Sequence, residues 1–174
     1  MKKFLFLITM FCSNAAFAQQ MIKSGIIYSE HPYIGVVTRL AKLYVQVDPD
    51  DMAQLYADTA HFYGMTRYSP DTVRMAKLLP PKAKTLAEAK KGWQEVINNW
   101  ENITMMNTQP SQGLEYNGST SFTVQSWWVI TMVNKKTKKF AQIEMVLFDE
   151  FNDAGKISRQ LEYYDPTPLM VAAK

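Results

Sequence analysis

Apolar and polar positions alternate with a period of two over three stretches in the C-terminal half of the chain: Phe122 to Val133, Phe140 to Phe151 and Ile157 to Tyr164. Phe122, Val124, Trp128, Ile130 and Met132 share one face of the first, and Ile157, Leu161 and Tyr163 one face of the third. That alternation predicts long antiparallel strands with one strongly apolar face. Asn134 to Lys139 and Asn152 to Lys156 separate them, and Asn152, Asp153 and Gly155 are residues that tight turns select.

Upstream the period changes to that of a helix. His31-Pro32 opens a segment in which Ile34, Val37, Leu40, Ala41, Tyr44 and Val45 form one stripe. Asp48 suits an N-cap and Pro49 the first helical position of a second, short helix that ends near Asp58, with Met52, Leu55 and Tyr56 inside. Ala60 to Tyr63 reads as a brief strand stopped by Gly64. Thr85-Leu-Ala-Glu88 is a capping box. The helix it opens runs to about Trp100, with Leu86, Ala89, Trp93, Val96, Ile97 and Trp100 on one side. Ile103 begins a further strand, and Thr108 to Ser121, with Pro110, Gly113 and Gly118, reads as a turn-rich connection. Met65 to Lys84 has no period and reads as a surface excursion or a lid. Helices first and antiparallel strands after make an α+β fold. Its curved antiparallel sheet wraps around the N-terminal helices and one long helix as a cone, whose open end is a natural apolar pocket.

The first residues are set apart from this plan. Met1-Lys-Lys3 is basic, Phe4 to Cys12 is apolar but short, and Ala16-Phe-Ala18 is a small-x-small cleavage site. These are the parts of a secretory signal peptide, so residues 1–18 are expected to be removed. Residues 19–174 form a single domain, without a membrane span, periplasmic or secreted. The formal charge of +3 loses Lys2 and Lys3, leaving a nearly neutral body with no electrostatic case for nucleic acid. Cys12, the single cysteine, leaves with the signal, which excludes disulfides and thiol chemistry from the mature chain. The two histidines, His31 and His61, stand far apart, so neither a metal nor any other cofactor is expected.

Among candidates for chemistry, Glu144 interrupts the apolar run Ile143 to Phe148. Facing inward it would be a desolvated general acid or base; strand alternation instead puts it on the solvent side, opposite Ile143, Met145 and Leu147. His61 beside Tyr63 is a rim pair for proton transfer or simply a packing residue. Trp127 and Trp128 must point to opposite faces, and an apolar outer face suits a homodimer.

Leu55-Tyr-Ala-Asp58, together with Phe151-Asn-Asp-Ala-Gly-Lys-Ile157 and Tyr163-Tyr-Asp165, resembles the opening and closing signatures of the nuclear transport factor 2-like superfamily, with its SnoaL-like branch nearest. The resemblance spans about residues 31 to 166. It implies the cone-shaped fold, frequent dimers and a deep pocket, in a group that includes polyketide cyclases, ketosteroid isomerases and epoxide hydrolases. The isomerase general base falls at Gly64, which has no side chain, and the oxyanion-hole tyrosine falls near Leu40, with Tyr44 one turn away. Steroid isomerisation by that mechanism is therefore not expected. The expectation is an exported domain that holds a small, largely apolar molecule. Tyr44, Tyr56, Tyr63, Trp93, Trp128, Met132, Arg159 and Tyr163 are its candidate contacts. The alternatives are an acid–base enzyme using Glu144, Asp165 or His61, and a structural dimer with a filled cone.

Overall fold

A computed structural model describes residues 24–66 and 83–174. The signal segment and most of the Met65–Lys84 stretch therefore lie outside the described residues. The elements run β1 (Gly25–Tyr28), α1 (Pro32–Gln46), α2 (Pro49–Ala53), β2 (Tyr56–Thr66), β3 (Lys84–Thr85), α3 (Leu86–Asn99), β4 (Trp100–Tyr116), β5 (Phe122–Asn134), β6 (Phe140–Phe151), β7 (Ile157–Tyr164) and α4 (Thr167–Ala172). The strands form one curved, unclosed sheet in the order β1-β4-β5-β6-β7-β2-β3. Every pair is antiparallel except β2 with β7, which is parallel. This is the α+β cone expected from the pattern of elements.

The helix starts follow from their caps. His31 Nδ1 accepts from the Tyr33 amide at 3.2 Å, and Asp48 Oδ1 from the Asp51 amide at 3.0 Å; proline occupies the first turn in both. The capping box on α3 is complete: the Glu88 amide donates to Thr85 Oγ1, and the Thr85 amide to Glu88 Oε2. The inner faces of these helices meet the even face of β5 and the odd face of β6. Val37, Leu40, Met52, Val124, Ile130, Met132, Ile143 and Leu147 form the centre of the core. Trp128 lies on that face, buried, and Trp127 on the other, half-buried.

Three elements differ from expectation. Helix α2 stops at Ala53, not near Asp58, because the chain is already paired to β7: Leu55 O accepts from the Ile157 amide at 3.0 Å and Tyr56 stands beside Ile157. Strand β2 then runs eleven residues, through Gly64. Strand β4 continues through Pro110 and Gly113, where a turn-rich connection was expected. Its register against β5 shifts between Gln109 and Gln112, and a bulge is where a strand tolerates proline. The connection shrinks to Asn117–Ser121. After Asp165 the chain forms the short helix α4, whose Ala172 carbonyl accepts from Thr137 Oγ1.

Candidate functional site

A cavity of about 200 Å³ lies between the inner face of the sheet and helices α1 and α3. Most of its wall is apolar or aromatic. Leu40 and Tyr44 come from α1, Ala89 and Trp93 from α3, Trp128, Ile130 and Met132 from β5, and Ile143 and Leu147 from β6. Tyr56, Phe62 and Gly64 come from β2. The cone is therefore not filled. Two glycines help to keep it open. A Cβ on Gly64 or Gly92 would meet no atom within 4 Å, and neither has the positive φ seen at Gly118 and Gly155. No backbone conformation demands glycine at either place.

The polar groups of the wall are concentrated on β7, which supplies Gln160, Glu162 and Tyr164. The period-two count from Ile157 expected Arg159, Leu161 and Tyr163 to face inward. They do not, because Phe151 pairs with Ile157 and Glu150 with Arg159, leaving Ser158 as the extra residue of a bulge. One inserted residue reverses the facing of everything after it. Arg159 consequently lies outside, 2.6 Å from Glu150 and 5.0 Å above the Tyr63 ring.

Burial pushes the Glu162 carboxyl above the usual range, and the Lys84 ammonium pulls it partly back. Among the described residues no hydrogen bond or ion pair closes on it. Tyr44 and Tyr164 are raised by burial and then by the nearby Glu162 charge. Behind the wall, Asp149 Oδ1 accepts from Gln160 Nε2 at 2.6 Å, and Oδ2 has no partner. Asp149 is fully buried. Desolvation pushes its carboxyl up to about 7; the Gln160 bond opposes that and the Glu162 charge adds to it. Tyr56 is raised by burial and by both acids, with a Gln160 hydrogen bond acting the other way.

Of the candidates named from sequence, Tyr44, Tyr56, Trp93, Trp128 and Met132 lie together on this wall. The others are elsewhere. Glu144 is exposed on the outer face, since Ile143 and Met145 take the inner positions of β6. His61 is exposed, and Tyr63 shares its side of β2, because Phe62 and Gly64 point inward. Tyr163 packs against Phe148 on the outside. Asp165 follows the last strand, where its Oδ1 accepts from the Thr167 amide at 2.9 Å and sets the approach to α4. Glu162, Gln160 and Asp149 were missed. The signal for Asp149 was present: the alternation that puts Ile143, Met145 and Leu147 inside puts Asp149 there too. Nothing comparable announces the bulge that turns Glu162 inward.

No family model and no curated protein matches this chain. Solved structures do. A Catenulispora acidiphila protein with a ketosteroid isomerase-like fold, solved in complex with trimethylamine, superposes with a TM-score of 0.57 at 13% identity, over 79% of this chain and 91% of that one. PrhC from Penicillium brasilianum gives 0.61 at 8% identity over 83% and 87%. AusH from Aspergillus nidulans gives 0.59 at 10% identity over 78% and 86%. The chain therefore shares the ketosteroid isomerase-like fold of these structures, the cone that the resemblance of its end motifs implied.

Proposed function

We propose that this protein binds one small, largely apolar molecule inside the cone, and that the β7 groups Glu162 and Tyr164, with Tyr44 of α1, orient it. One observation carries the reading: the cavity is lined mostly by apolar and aromatic side chains, with a small set of polar groups among which Gln160, Glu162 and Tyr164 come from β7. The two glycines on the wall, required by no turn, support it. Gly64→Leu tests it. A Cβ at Gly64 meets no atom within 4 Å, and the longer side chain is expected to extend into the cavity. It should leave the unfolding midpoint near that of the parent and abolish the stabilisation produced by any apolar hit in a thermal-shift screen. Hits that stabilise both proteins equally would place the binding site elsewhere.

A second reading, acid–base catalysis, is favoured by the Glu162 carboxyl. It lines the cavity, and burial raises it above the usual carboxyl range, the direction that favours a general acid or base. Glu162→Gln would then remove turnover without removing binding. We propose in addition that residues 1–18 direct export and that the mature chain starts at Gln19 in the periplasm or medium, on the strength of the basic start, short apolar run and Ala16–Ala18 site. The intact mass of the exported protein checks the cleavage point. The outer face of the sheet supports a homodimer.

A further inference from the structure

We infer that the molecule held in the cone is a small organic cation, an amine or quaternary ammonium head group. The inference rests on the reading of the cavity as a ligand site and adds the class of ligand. Its first support is the arrangement of rings. Tyr44, Trp93, Trp128 and Tyr164 reach the cavity from α1, α3, β5 and β7, so aromatic groups face it from four separate elements. An aromatic enclosure is the arrangement that attracts ammonium groups, through the negative faces of the rings.

The second support is charge. Glu162 stands on the same wall with no hydrogen bond or ion pair among the described residues. Two other charged groups line the cavity. Glu88 is engaged in the α3 cap, and Lys84 is exposed and forms no ion pair with Glu162. The wall thus carries two carboxyl groups and one ammonium, and the inward carboxyl is the one without a close partner. A wholly apolar guest would strip water from Glu162 and leave the carboxylate unpaired, or force it to take up a proton. Either costs binding energy. A cation removes that cost and gains the ring faces. The volume limits the guest. An apolar cavity of about 150 Å³ accepts benzene, so about 200 Å³ accommodates a trimethylammonium group with a short tail.

The test compares two probes of the same shape. Choline and 3,3-dimethylbutan-1-ol differ at one atom, the charged nitrogen replacing a neutral carbon. Calorimetric titration of the mature chain is expected to give choline the tighter binding by about ten-fold, the effect of a desolvated cation–π contact with a carboxylate beside it. Glu162→Gln should cut that preference at least about five-fold, and Trp93→Leu, which leaves the carboxyl in place, should weaken choline more than the alcohol. The second variant keeps the test decisive if the first does not fold. Equal or tighter binding of the alcohol overturns the cation inference and leaves the cavity reading standing. If neither probe binds, the inference also falls, and the Gly64→Leu comparison decides separately whether the cavity takes any ligand.

Discussion

At the scale of single residues, Asp149 is the side chain with the largest unresolved tension. It is fully buried with one hydrogen bond, from Gln160, so its charged form is penalised and its folded pKa rises from 3.8 to about 7. The sign of the consequence follows. A carboxyl whose folded pKa lies above its unfolded one binds its proton more tightly in the native state. Its contribution to stability is complete below about pH 4, falls as the pH rises toward 7, and is lost above that. Glu162 acts in the same direction. Asp149→Asn keeps an oxygen for Gln160 and removes the titration. The variant is expected to be more stable than the parent at pH 8 by about 1–3 kcal/mol, with the gap closing at pH 5. Urea unfolding at both values measures it, and a gap independent of pH would mean that Asp149 does not titrate in this window.

At the scale of elements, helix α3 offers two opposed substitutions. Thr85→Ala removes the Oγ1 that accepts from the Glu88 amide and is expected to cost about 0.5–2 kcal/mol. Gly92→Ala replaces a poor helix former at a site where a Cβ meets nothing, and is expected to stabilise by about 0.5–1 kcal/mol. Thermal unfolding reads both. A loss on Gly92→Ala would show that the helix packs more tightly there than its surroundings indicate.

Helix α3 is also where the sequence spoke most plainly, because capping is local chemistry between residues three apart. The same holds for the His31 and Asp48 caps and for the inner face of β5. What stayed hidden was non-local. The Ser158 bulge depends on how β6 and β7 register, and it hid Glu162. The length of β4 through Pro110 depends on its pairing with β5. The early end of α2 depends on a strand a hundred residues away in sequence.

At the scale of the whole molecule, the outer face of the sheet makes the last prediction. Strand register places Trp127 beside Val146 and Val146 beside Tyr163, with Phe148 beside Leu161 in the next row. The Phe148 and Tyr163 rings meet at 5.8 Å, and Tyr163 remains 38% exposed. These side chains form one apolar patch, flanked by the Arg159–Glu150 pair. Among the described residues the helices lie on the other side of the sheet, and a second copy would cover such a patch by the same residues, as a two-fold interface requires. Sedimentation is therefore expected to show a dimer for the parent. Val146→Arg, at the centre of the patch, should give a monomer of unchanged circular dichroism, because its side chain points away from the cavity and the core. A parent that sediments as a monomer at all accessible concentrations would leave the patch without that role. A dimer unaffected by Val146→Arg would move the interface to another surface.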